Sequence, residues 1–289
     1  MTAPSTVYRR FAPLQANEAP PPRVWTVFVA FAGALVSTAG FTVAVLVALF
    51  FAACAHYASR FGAVPPRTEL AHAFQSFVLS ATGLLGSGIA ACLSFAVFAL
   101  VPARLSEQGL VARLRLEASP GWKTLGLACA GATIGIGQVS SGVIVLAGLE
   151  GHGNLARIAR AFEGASPGTL VGAALIVGVG AGVGEELLFR GYMLTRLAER
   201  WRPWIALVVS AGLFGLVHFD WLHSTFAFFV GLLLGWTSLR AGSIRPTLVA
   251  HVVNNLLGVV GMAVNDSTEP TPRAVAVGQL ALGVALAAA

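Results

Sequence analysis

Two adjacent glutamates, one arginine, two histidines and an asparagine are the side chains of this sequence best equipped for chemistry. Glu185 and Glu186 precede Arg190 in the pattern EExxxR, Phe214 precedes His218 in FxxxH, and His251 precedes Asn255 in HxxxN. A carboxylate or an imidazole can take a proton from water and return it to a leaving group. A side-chain amide can donate to a developing oxyanion. Together these are the parts that hydrolysis of an amide bond needs.

Helical spacing divides the roles. Glu186 and Arg190 are four apart, about 40° around an α-helix, so an intrahelical pair is expected. Glu185 points about 100° from Glu186, which predicts that the two glutamates do not share a close partner and that Glu185 is free to act as base. Taken alone, EExxxR also fits an interfacial ion pair at a helix end. The ring of Phe214 is expected one turn from His218. His223, near the start of the next apolar segment, is a competitor for the role given to His218. His251 and Asn255 share a face. Asn255 can orient the imidazole or donate to an oxyanion, and the structural alternative is an interhelical polar clamp. Asn254 lies one residue off that face.

These groups are carried on segments that look like membrane spans. Hydrophobic residues make up 56% of the chain and charged residues 10%, too few charges to clothe a soluble domain. Mean hydropathy is +0.80. Eight apolar helices are expected, near 24–55, 74–101, 122–149, 169–192, 204–219, 222–239, 247–264 and 274–289. The predicted architecture is an all-α polytopic membrane helix bundle over 23–289, with a polar tail over 1–22 and a catalytic core at about 165–260. The first three spans have no charge at their centres, so they read as a scaffold for the ionisable second half. Arg104–Glu117 fits an interfacial amphipathic helix or an ordinary loop equally well. The glycines at 178, 180, 182 and 184 lack P-loop or dinucleotide spacing and read as helix-packing positions.

Net charge is +6, but the basic residues are scattered singly through loops, which argues against nucleic acid as a partner. With the N-terminus cytoplasmic, twelve Arg and Lys fall on that side and five on the other. Both termini are therefore expected inside, in the cytoplasmic (inner) membrane. Cys54, Cys92 and Cys129 lie in apolar runs and read as small buried hydrophobes. No HExxH or GxSxG is present.

The three motifs, in this order and on separate apolar helices, resemble the CPBP family, which includes the type II CAAX prenyl endopeptidases. The resemblance covers about residues 165–260. It implies an intramembrane endopeptidase acting on membrane-associated proteins or peptides, those with prenylated CAAX-like tails among them. The family's catalytic glutamate falls on Glu185, its second glutamate and arginine on Glu186 and Arg190, its histidines on His218 and His251, and its asparagine on Asn255. Phe214 accompanies them as a supporting residue. Two chemistries stay open: glutamate- and histidine-activated water with no cofactor, or a zinc ion held by Glu185, His218 and His251. Other functions compatible with the sequence are a non-catalytic immunity or scaffold protein and a transporter with a buried Glu/His ion path. One conflict is visible beforehand. With straight helices, His218 near the end of its helix and His251 near the start of its own fall at different depths.

Overall fold

The computed structural model describes residues 23–264 and 271–288; the tail expected over 1–22 lies outside them. The described chain is helical throughout. In order the elements are α1 Trp25–Phe61, α2 Arg67–Val78, α3 Ala81–Arg104, the short α4 Leu110–Arg113, α5 Trp122–Leu146 and α6 Gly153–Phe162. There follow α7 Pro167–Ala198, α8 Pro203–Leu216, α9 Trp221–Ala241, α10 Arg245–Val264 and α11 Arg273–Ala288. Among the described residues six helices are long and apolar enough to cross a membrane, with α8 and α11 as shorter apolar companions. The protein is an all-α polytopic membrane helix bundle.

Several boundaries differ from expectation for identifiable reasons. α1 runs for 37 residues, about 55 Å, far more than the roughly 30 Å hydrocarbon thickness. Only Val27, Ala30 and Ala34, in its first third, are buried. The second expected span is two helices. The chain breaks at Leu79–Ser80, where Ser80 caps α3 by accepting from the Gly83 N–H at 3.1 Å, a standard use of serine at a helix start. The fourth span continues beyond the expected Tyr192 to Ala198, because Met193, Leu194 and Leu197 are themselves fully buried.

α7 is the axis of the fold. Phe189 is fully buried and meets Phe31 of α1 at 6.4 Å, Phe95 of α3 at 5.9 Å and Phe214 of α8 at 5.2 Å, all edge to face. The opposite surface of α7 is thinned by glycines. Carbon added at Gly178 would strike Leu256, and at Gly182 it would strike Val252, both on α10; at Gly180 and Gly184 it would meet Cys92 on α3. Alternate glycines thus admit α10 on one side and α3 on the other. Two stretches of α7, Ala174–Ala181 and Glu186–Leu194, are π-helical, with the wider i→i+5 turn. Such widened turns are uncommon and cluster at functional sites.

The Arg104–Glu117 segment is neither of the expected things. Only Leu110–Arg113 is helical, Arg113 is 3% exposed and Leu114 is fully buried. Arg113 pairs with Glu199 beyond the end of α7 and its guanidinium lies over the Tyr192 ring at 6.0 Å. The Arg115 carbonyl accepts from Ile244 N–H at 2.9 Å, and the Leu116 carbonyl from Arg245 Nε at 2.7 Å. The segment therefore ties the end of α7 to the turn that starts α10.

We expect Gly182→Leu to lower stability by about 1–3 kcal/mol, the usual cost of overpacking, because Val252 Cγ2 lies 3.0 Å and its backbone 3.3 Å from the added carbon. Thermal melts in detergent measure this; an unchanged Tm would mean that α10 is not seated on that glycine.

Candidate active site

The EExxxR motif lies where α7 passes from a short α turn, Gly182–Glu185, into the π-helical stretch beginning at Glu186. Glu186 is fully buried and Arg190 is 1% exposed. Arg190 Nη1 donates to Glu186 Oε1 at 2.7 Å, so the expected intrahelical pair forms. The same Oε1 lies 2.9 Å from His251 Nδ1, a bond between α7 and α10. His251 is 3% exposed. Glu186 Oε2 and Arg190 Nη2 are buried without a hydrogen-bond partner.

Glu185 departs from the expected geometry. Its Oε2 lies 3.4 Å from His251 Nε2, so the two glutamates do share a close partner. An imidazole presents its two nitrogens on different edges. A ring inserted between two carboxylates can meet both, one nitrogen each. The wider π turn also sets successive side chains closer around the axis than the α-helical 100°. The two carboxylates remain different in setting: Glu185 is 14% exposed and Glu186 not at all.

His218 closes α8. Its Nδ1 lies 3.0 Å from the Phe214 carbonyl and 3.3 Å from the Gly215 carbonyl. Carbonyls only accept, so Nδ1 is assigned the hydrogen, and Nε2 of the neutral ring is left as an acceptor. Phe214 organises this part of the site. Its ring is buried and meets His218 at 5.4 Å and His251 at 5.7 Å, both edge to face, and the Arg190 guanidinium lies over it at 4.2 Å. His223, the competitor, stacks against His218 with centroids 4.0 Å apart and so joins it without replacing it.

Phe214 connects the two histidines that the sequence set at different depths. At 14 residues, or about 21 Å, α8 stops short of a full crossing. The residue that reaches His251 is Phe214, one turn before His218. Glu185, Glu186 and His251 are in mutual contact, and Phe214 links His251 to His218.

Asn255 stands apart from the imidazoles. Its Nδ2 donates to the Val177 carbonyl of α7 at 3.2 Å, and Asn254 Nδ2 donates to Asn255 Oδ1 at 3.4 Å. This is the interhelical clamp, although an amide nitrogen carries a second hydrogen that this bond leaves over. Among the described residues no three His, Cys, Asp or Glu side chains gather as a metal-ligating group. Of the three residues in the zinc alternative, Glu185 and His251 are in contact, and His218 lies against the same Phe214 ring as His251. The Phe214 ring contacts both imidazoles, and both Nδ1 atoms are engaged.

Two residues that sequence reasoning did not single out touch this site. Asp220 caps α9 by accepting from the His223 N–H at 2.8 Å, and Asn154 Nδ2 donates to the His218 carbonyl at 3.1 Å. An aspartate directly before an apolar helix is a recognisable capping signal. Asn154, 64 residues from its partner, gives none.

Residues 167–257 match the family model described as type II CAAX prenyl endopeptidase Rce1-like. The match contains all three motifs and bears out the resemblance to CAAX/CPBP-family intramembrane proteases. No curated protein and no solved structure matches the chain.

The buried ion pair lends itself to a double-mutant cycle. Glu186→Leu and Arg190→Met should each cost about 3–5 kcal/mol by leaving the other charge unpaired, and the double variant should cost clearly less than their sum. Denaturation in mixed micelles reads all three; strict additivity would show that the two side chains are not coupled.

Proposed function

We propose that the protein is an intramembrane endopeptidase in which Glu185, working against His251, activates water to hydrolyse a peptide bond of a membrane-associated protein or peptide. The family match supports membrane proteolysis in general. The observation that carries the catalytic assignment is the asymmetry of the glutamates. Both touch His251, but only Glu185 retains exposure, while Glu186 is locked to Arg190. A base must reach water, and Glu186 cannot.

His251 Nδ1–H donates to Glu186, which fixes the ring so that Nε2 faces Glu185. In the proposed reaction Glu185 takes a proton from water as the oxygen attacks the carbonyl carbon. The tetrahedral oxyanion accepts from the spare Asn255 Nδ2 hydrogen. Collapse breaks the C–N bond, and Glu185 returns the proton to the leaving amine. His218, with Nε2 as acceptor, orients the water. Every proton in this scheme is carried by the chain's own groups.

We also propose that both termini are cytoplasmic and that the protein resides in the inner membrane, on the strength of the loop-charge bias. Prenylated CAAX-like tails are the substrate class that the family association favours.

Two experiments test these readings. Membrane proteomes of cells carrying wild type or Glu185→Gln should differ by a peptide that is shortened only by wild type. The variant should keep its melting temperature, and chelator dialysis should leave wild-type cleavage unchanged. Cleavage by Glu185→Gln would overturn the assignment, and loss on dialysis would overturn the metal-free scheme. For orientation, single cysteines at Glu107 and Glu69, in a chain whose three native cysteines are alanine, should label from inside and outside respectively. The reverse pattern would invert the topology.

A further inference from the structure

We propose that Asn154, on the interfacial helix α6 and outside the matched 167–257 region, is a positioning residue for His218. Three observations meet there. Asn154 Nδ2 donates to the His218 carbonyl at 3.1 Å, and its backbone N–H donates to Asp220 Oδ2 at 2.9 Å. Asp220 Oδ1 accepts from the His223 N–H at 2.8 Å. One carboxylate therefore joins the start of α6 to the start of α9, and the Asn154 amide adds the end of α8.

The second observation is the shape of the connection being held. Phe219, immediately after His218, has φ 49° and is 76% exposed. A bulky residue in the left-handed region is unfavourable unless its surroundings enforce it. Its own side chain makes no such enforcement, because it projects away from the core. The bonds on either side of it, to the His218 carbonyl and to the Asp220 carboxylate, hold the turn together with the Phe219 N–H, which donates to the Leu216 carbonyl at 3.2 Å.

The third is the closeness of α6. Gly153 has φ +80° and lies against Asp220, where an added Cβ would sit 2.9 Å from Oδ2. Only glycine combines that φ with that approach. It delivers the Asn154 N–H and amide to their acceptors together.

His218 Nδ1 is bonded to carbonyls of its own helix, so the ring follows the backbone of this last turn. Release of the His218 carbonyl frees the turn and the ring moves with it. The catalytic consequence rests on the protease reading above; the structural consequence does not.

The test uses the full-length protein in detergent. Carbethoxylation of each histidine by diethyl pyrocarbonate is followed against pH by mass spectrometry in wild type, Asn154→Ala, Asn154→Leu and Asn154→Gln. His218 should react several-fold faster, with a displaced pH profile, in the Ala and Leu variants. His251 should be unaffected, and Gln, which keeps a donor, should restore wild-type behaviour at least in part. On a membrane peptide that wild type cleaves, kcat should fall roughly 10- to 100-fold at similar KM, as misplacement on the order of 1 Å does. Unchanged His218 reactivity in both folded variants overturns the proposal. If Asn154→Leu does not fold, the smaller Ala variant and the Gln rescue decide it. If wild type cleaves nothing, the protease reading fails while the reactivity profiles still decide for or against Asn154.

Discussion

A carboxylate with no exposure to solvent, Glu186, is the constraint around which this site is built. Removing such a charge from water costs several kcal/mol unless it is paired and hydrogen-bonded. Its Oε1 meets Arg190 of the same helix and His251 of α10. The first bond is local and needs only helical spacing. The second is tertiary and fixes how α10 lies against α7. For it to form, the two helix axes must approach closely, which is what Gly178 and Gly182 permit at Leu256 and Val252. The glycine run and the ion pair are parts of one solution: the glycines bring the helix near, and the charge sets where along α7 it stops.

That same bond explains how much of the site could be read beforehand. EExxxR, FxxxH and HxxxN were legible because ionisable groups in apolar helices are rare and costly, so each stands out against its surroundings. The Glu186–Arg190 pair followed from spacing alone. The shared imidazole did not. It depends on a ring inserted from another helix and on a π-helical stretch that residue types do not announce. The break at Leu79–Ser80 was hidden because both sides of it are apolar. The buried Arg113 was hidden for the opposite reason: a charge in a loop reads as solvated, and only the tertiary position of Glu199 makes burial tolerable.

The scaffold reading of the first half also acquires content. α1 and α3 send Phe31 and Phe95 to Phe189, one residue before Arg190. The 105–121 connection holds the far end of α7 and the start of α10 through Arg113, Arg115 and Leu116. The first half thus supports the helices on both sides of the Glu186–His251 bond. That support matters because Glu186 Oε2 and Arg190 Nη2 lack partners: an incompletely satisfied buried pair holds its geometry only if the packing around it does not yield.

Phe214 accounts for the division between the two glutamates. Arg190 has donors enough to engage both. The Phe214 ring lies under the guanidinium at 4.2 Å, an attractive arrangement for a desolvated cation. From that position Nη1 donates to Glu186 Oε1 at 2.7 Å. The cation is committed to the glutamate that does not reach water. Glu185 is left facing a group that can both take and give a proton. The same ring presents its other contacts to His218 and His251, so one apolar side chain keeps the arginine, the two imidazoles and the two carboxylates in fixed relation. The phenylalanine of FxxxH therefore does more than fill space beside its own histidine: it lies against the arginine and the second imidazole as well.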